Sequence, residues 1–186
     1  VANRLEHARV AVLATDGFEE SELKEPVKAL KDQGAEITIV SPKAGSIKAW
    51  KMKDWGGSVD VGATLDQAVP GDFDALLLPG GVINPDRLRL EPKAALFVRG
   101  FAEEMKPIAA ICHGPWMLIE ADLVRGKRIA SWPSLRTDLL NAGAQWVDQP
   151  VVEDGILITS RKPDDIPAFV ERFSEALERT LAPQGS

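Results

Sequence analysis

The sequence predicts an open α/β sandwich built on a mostly parallel sheet, and three observations predict it. Short apolar runs at Arg9–Ala14, Glu36–Val40, Asp74–Leu78 and Pro107–Cys112 alternate with segments whose apolar residues recur at helical spacing. The strand runs are apolar almost throughout, as in strands covered on both faces. The first two runs, with the helix between them, have the length of a βαβ unit, which implies parallel strands and a right-handed crossover.

Arg9 to Ala14 is the first strand, and Thr15-Asp16-Gly17-Phe18 turns the chain. Glu19-Glu20-Ser21-Glu22 opens a helix with acidic residues, which complement the positive end of its dipole. Leu23, Val27 and Leu30 share one face; Pro26 is expected to disturb the early turns and Gly34 to end the helix. Ser41-Pro42 stops the second strand. Lys43 to Ala63 is an irregular excursion in which Trp50 to Gly57 holds a turn between two short strands. It reads as a surface hairpin with its two Trp rings packed locally; the alternative is a subunit contact, because Trp is enriched at interfaces.

The third strand, Asp74 to Leu78, ends in Pro79-Gly80-Gly81. Asn84-Pro85-Asp86 then precedes a helical stretch from Arg87 to about Lys106, with a break at Pro92. The fourth strand runs to Cys112, and Pro115 is suited to the first position of a helix that continues through Trp116-Met117-Leu118-Ile119. Lys127 to Ala130 reads as a fifth strand and Ser134 to Ala142 as a helix ended by Gly143. Val151 to Ile158 reads as a hairpin around Asp154-Gly155. Asp164 to Leu181 closes the chain as an amphipathic helix with Ile166, Phe169, Val170, Phe173 and Leu177 on its buried face. The start before His7 and the tail from Ala182 to Ser186 are expected to fray.

A length of 186 residues fits one domain with a sizeable core. The net charge of −6 argues against a nucleic-acid-binding surface. One cysteine cannot close an internal disulfide, no apolar run approaches membrane-spanning length, and no signal-peptide core opens the sequence. A cytoplasmic location is the default expectation, with neither membrane nor nucleic acid as a required partner.

Ligands of open α/β sheets sit at the carboxyl ends of the strands. Three loops there carry unusual residues: Asp16–Glu22, Gly80–Asp86 and Cys112-His113. If the first, third and fourth strands are neighbours, these loops converge. Ala110-x-Cys112-x-Gly114 repeats the logic of a nucleophile elbow, a strand-to-helix turn with a small residue on each side of the nucleophile. Cysteine is among the most buried residue types, so a structural role competes. The turn, the helix start and the adjacent imidazole favour a thiol of lowered pKa instead. His113 is the candidate base, although neighbours in sequence usually point apart. One Cys and one adjacent His do not make a metal ligand set. Glu19, Glu20 and Glu22 could each compensate the helix dipole or place a carboxyl near the sulfur, and the spacing does not choose among them. Gly80-Gly81 is a plain turn or an oxyanion-hole donor. Asp86 either caps the helix after it or orients His113.

Taken together, Glu19-Glu20-Ser21-Glu22, Leu78-Pro79-Gly80-Gly81 and Ala110-Ile111-Cys112-His113-Gly114-Pro115 resemble the DJ-1/PfpI family. Cys112-His113 and Pro85-Asp86 look closest to its PfpI branch, which includes bacterial general stress proteins. The resemblance runs from Arg9 to about Leu181 within a single domain of residues 1–186. It implies a three-layer sandwich with a mostly parallel central sheet, flavodoxin-like and similar to class I glutamine amidotransferases. It implies Cys112 as nucleophile and redox-sensitive thiol, Glu22 as the glutamate that hydrogen-bonds the sulfur, and Gly81 with the His113 backbone as oxyanion hole, without a cofactor. In PfpI proteases the histidine is oriented by a glutamate of a neighbouring subunit; Asp86 occupies that position here, shorter by a methylene, in a loop that looks one residue longer. A homodimer or higher oligomer is implied. Family members are credited with peptidase, glyoxalase III-like and deglycase activities.

Two functions compete. One is covalent cysteine catalysis on a small reactive carbonyl, a glycated adduct or a peptide. A carbonyl is preferred, since no amine leaving group needs protonation. The other is a non-enzymatic redox sensor or chaperone in which Cys112 is oxidised to a sulfenic or sulfinic acid. A glutamine amidotransferase is rejected, because no histidine follows His113.

Overall fold

A computed structural model describes residues 3–182. The apolar runs become β1 (Arg9–Leu13), β3 (Glu36–Ser41), β7 (Ala75–Leu78) and β8 (Ile108–Ile111), with β2 (Phe18–Glu19) and α1 (Glu20–Asp32) between the first two. The excursion folds as β4 (Ser46–Lys51), β5 (Asp54–Asp60) and β6 (Ala63–Thr64). After β7 come α2 (Ile83–Leu88) and α3 (Pro92–Glu103); after β8 come α4 (Pro115–Glu120), β9 (Arg128–Ile129), α5 (Arg136–Asn141) and β10 (Gln145–Trp146). β11 (Val152–Asp154), β12 (Leu157–Ser160) and α6 (Ile166–Leu181) complete it.

The main sheet has the order β11-β12-β8-β7-β1-β3-β6. Its neighbours pair in parallel except β11, which turns back on β12. Strand alternation divides the core into two layers. Val10, Val12, Leu77, Ala109 and Ile111 face α1 and α6, meeting Leu23, Leu30, Phe169, Phe173 and Leu177. Ala11, Leu13, Leu76, Leu78 and Ala110 face the other way, onto Phe97, Val98 and Phe101 of α3, Leu118 of α4 and Leu139 of α5. Each of the larger ones, Val, Leu, Ile or Phe, contributes roughly 1.5–3 kcal/mol on burial. Helices therefore cover both faces, which is the expected three-layer sandwich.

The structure corrects several details. α1 runs through Pro26, whose ring packs in the buried face with Leu23 and Leu30. The helix expected from Arg87 begins at Ile83, so Asp86 lies inside α2 and is no cap. Pro92 opens α3. Lys127 to Ala130 yields only β9, which pairs with β10 outside the main sheet; the place beside β8 goes to β12. Leu157–Ser160 is buried on both faces, whereas Arg128 is exposed, so only β12 suits an interior position. Trp50 and Trp55 do pack edge to face across the β4–β5 hairpin, at 5.4 Å. The hairpin is not a free surface feature, however, because β4 also pairs in parallel with β2. The start of the chain is anchored: Leu5 is fully buried and Arg4 pairs with Glu171 and Glu178. The expectations for the first two residues and for Pro183 to Ser186 lie outside the described residues.

Candidate active site

β8, β7 and β1 are neighbours, so the three loops at their carboxyl ends do converge. At the end of β8 the backbone of Cys112 takes φ +63°, a left-handed conformation that costs a non-glycine residue about 1–2 kcal/mol. Neighbouring strands and loops hold it there. The Cys112 N–H donates to the Ser160 carbonyl at 3.0 Å, and the Trp132 N–H donates to the Cys112 carbonyl at 2.9 Å. Gly114 leaves no room to relax, since a Cβ there would stand 2.5 Å from the Leu78 carbonyl oxygen. Strain of this kind persists only where the surroundings over-determine it.

Gly80 brings the first loop to the third. A Cβ on it would lie 2.4 Å from Glu22 Oε1 and 2.8 Å from Cys112 Cβ. Gly81 has φ +84°, and a Cβ there would lie 2.4 Å from the Gly17 carbonyl oxygen. Asn84, wholly buried, fastens these loops together. Its amide donates to the carbonyls of Pro79 at 3.1 Å and Gly80 at 3.2 Å, and its oxygen accepts from the Thr15 N–H at 2.8 Å.

The three glutamates separate by position. Glu20 turns outward to Lys24 and accepts the Gly57 N–H at 2.9 Å. Glu19 borders the cleft, and Glu22 is fully buried beside the sulfur. Burial, then the charge of Glu19, push the Glu22 carboxyl up to about 8. It is therefore neutral at pH 7. Among the described residues neither of its oxygens finds a partner at full hydrogen-bond geometry, which suits a protonated acid better than a carboxylate.

Cys112 is 8% exposed. Burial, then a negative charge on Glu22, push its thiol up, while the backbone N–H groups of Gly81 and His113 pull it down. The sequence predicts a net lowering, and the structure gives the opposite sign. The sulfur is enclosed, and burial outweighs the two amides. The Glu22 contribution acts only when that carboxyl is ionised; in its neutral form it can donate toward sulfur instead. The sulfur and Glu22 thus form one coupled site in which both groups do not carry charge together.

His113 places Nδ1 3.2 Å from Sγ, so the neighbours in sequence do meet in space. Burial lowers its pKa, which leaves a neutral imidazole at pH 7. Its ring lies between Trp116, edge-on at 5.1 Å, and Trp132, stacked at 6.3 Å. The Trp116 indole N–H donates to Asp138 at 3.0 Å. Asp86 is exposed on α2 and makes no side-chain hydrogen bond or ion pair with His113 among the described residues. The structure thus assembles Cys112, His113, Glu22 and Gly81 within one chain and leaves Asp86 apart.

A cleft of about 590 Å³ opens over the sulfur, bordered by Glu19, Trp50, Met52, Val82, Ile83 and Trp132. Sequence reasoning missed Asn84, Trp132 and the hairpin residues; of these only Asn84, next to a diglycine turn, carried a local signal. A second groove of about 610 Å³ lies between α1 and the strands β3 and β5, away from Cys112. Among the described residues it is lined by no cysteine or histidine.

Residues 8–176 match the family model described as "DJ-1/PfpI family". The chain is 43% identical to general stress protein 18 of Bacillus subtilis over 172 residues, covering 92% of this chain and 98% of that one. It is 44% identical to protein/nucleic acid deglycase 2 of Escherichia coli over 162 residues, covering 87% and 92%. Among solved structures, Drosophila melanogaster DJ-1beta superposes with a TM-score of 0.80 at 27% identity, covering 93% of this chain and 95% of that one.

Proposed function

The chain belongs to the DJ-1/PfpI family, and from that membership and its site we propose a stress-response enzyme that uses Cys112 as a covalent nucleophile. Its substrates are small reactive carbonyls or glycated adducts, as the name of the E. coli relative suggests, with PfpI-type hydrolysis as the related activity. The observation that carries this reading is a single sulfur that faces a cleft, 3.2 Å from a neutral imidazole, with two backbone N–H groups and a protonated carboxyl around it.

For a vicinal ketoaldehyde the steps balance without an outside oxidant. The thiol proton moves to His113 Nδ1 and the sulfur adds to the aldehyde carbon. The oxygen that gains charge meets the Gly81 and His113 N–H groups. His113 returns the thiol proton to that oxygen and is neutral again. The hydrogen on the aldehyde carbon then leaves as a proton to the His113 ring and is delivered to the neighbouring carbon, while the hydroxyl proton passes to the former ketone oxygen. The aldehyde carbon is oxidised to a thioester while the ketone carbon is reduced to an alcohol. Water cleaves the thioester, releasing a hydroxy acid and the thiol. Glu22 supplies a proton toward sulfur and keeps a second negative charge out of the site.

A redox role is the second reading: no other cysteine stands in the sequence to resolve an oxidised Cys112, so its oxidation would stop at an oxyacid or a mixed disulfide. One experiment separates the two: a substrate panel on wild type and Cys112→Ala, with mass spectrometry after mild peroxide. Lactate formed from methylglyoxal by wild type and lost in Cys112→Ala supports the enzyme. No turnover of any carbonyl, adduct or peptide removes it, and an oxyacid on Cys112 would then favour the sensor.

The same reading has the chain act as a homodimer in the cytoplasm, where an unpaired thiol stays reduced. Asp86, exposed and without a partner for its side chain among the described residues, is available to a neighbouring subunit. No described helix is long and apolar enough to cross a membrane.

A further inference from the structure

One wall of the cleft takes no part in the chemistry proposed above. It is the tip of the β4–β5 hairpin, and the hairpin is pinned in place. β4 pairs with β2 at Phe18–Ala49 and Glu19–Trp50. The Gly17 N–H donates to the Lys48 carbonyl at 2.8 Å, and the Lys48 N–H donates to the Asp16 carboxylate at 2.8 Å. At the tip the Trp50 indole N–H donates to the Met52 carbonyl at 3.1 Å, and Met52 takes φ +57°. Met52 is 79% exposed although it borders the cleft. Val82, 55% exposed, and Trp132, 39% exposed, also border the opening. Exposed apolar side chains gathered around a reactive sulfur are unusual for a surface and ordinary for a ligand site.

Charge and size agree. Among the described residues, the ionisable groups that border the cleft apart from Cys112 and His113 are Glu19 and Glu22; no lysine or arginine does. A carboxylate or phosphate on the substrate would meet no cation there, and it would be repelled by Glu19. A volume of about 590 Å³ lies within the range of sites for drug-sized ligands and far exceeds what a three-carbon ketoaldehyde fills.

We infer that this site selects vicinal dicarbonyls bearing an aryl or comparably large apolar group and no negative charge, with Trp50 and Met52 as specificity-determining residues. The inference rests on the reading that Cys112 adds to carbonyls. For phenylglyoxal the steps are those given above. A sulfur–carbon bond forms at the aldehyde carbon, that carbon is oxidised as the ketone carbon is reduced, and water breaks the thioester to release mandelate. The ring lies against Met52 and Trp50, where thioether and indole both favour aromatic contact.

The test measures kcat/KM for phenylglyoxal, methylglyoxal and para-carboxyphenylglyoxal in wild type, Met52→Ala and Met52→Lys. Met52 is at an exposed tip, so these variants leave the core intact. The phenylglyoxal-to-methylglyoxal ratio, which cancels any common loss, falls at least about fivefold in Met52→Ala. Wild type prefers phenylglyoxal to its para-carboxy analogue by at least about tenfold, and Met52→Lys narrows that gap. Cys112-dependent turnover with an unchanged ratio in Met52→Ala, or with the carboxylated analogue used equally well, overturns the inference and leaves the carbonyl reading standing. No turnover of any dicarbonyl overturns both.

Discussion

Glu22 and Cys112 are adjacent in space, and each alters how the other ionises. The carboxyl is pushed up to about 8 from an ordinary 4.5, chiefly by burial. Between those values the folded protein holds a proton that the unfolded chain has released. The stability this provides is therefore fully present below about 4.5 and is lost as pH rises through about 8. Glu22→Gln removes that dependence. In a Cys112→Ala background, where the thiol cannot titrate, urea unfolding at pH about 5 and about 9 should show the Glu22 protein losing on the order of a few kcal/mol more than Glu22→Gln. Equal losses in the two proteins would mean that Glu22 is not held neutral by the fold. The motif around Cys112 was legible in the sequence at this scale, but the sign of the thiol shift was not. That sign depends on enclosure of the sulfur and on a carboxyl ninety positions earlier in the chain.

At the scale of elements, the site is a product of loops tied to rigid strands. Asn84 does most of the tying, with three hydrogen bonds that join the turn after β7 to the turn after β1. Asn84→Ala leaves buried backbone groups without partners, and the expected loss is about 3 kcal/mol by chemical denaturation. Turnover should fall with it, because the Gly81 N–H loses its support. A loss under about 1 kcal/mol with full activity would show that water replaces the side chain. The order of strands and helices was readable from periodicity alone, with misses at short or interrupted segments. Lys127–Ala130 has strand composition but flanks too polar for a sheet interior. The start of α2 was hidden because Asn84-Pro85 reads as a turn, while in the fold both residues are buried inside the helix.

For the whole molecule, the mechanism turns on what orients His113. His113 has Sγ at Nδ1 and two indole rings beside it, and its own chain brings no carboxylate to it among the described residues. If Asp86 of a second subunit serves that role, mixing inactive Cys112→Ala with inactive Asp86→Ala protein restores about a quarter of wild-type activity. Random exchange makes half the dimers mixed, and each mixed dimer holds one intact site. Absence of recovery in a sample shown by light scattering to exchange subunits would place the orienting group elsewhere, with Trp116 and Trp132 as the residues already in contact.

The sequence by itself determined the layered α/β architecture, the elbow at Cys112 and the family, because these follow from periodicity and from motifs contained in short stretches. Tertiary structure alone decided that Glu22 is buried and neutral beside the sulfur, that the thiol is raised rather than lowered, and that the β4–β5 hairpin walls the cleft. Each of these depends on the distance between residues far apart in the chain, and local spacing along a sequence carries no such distance.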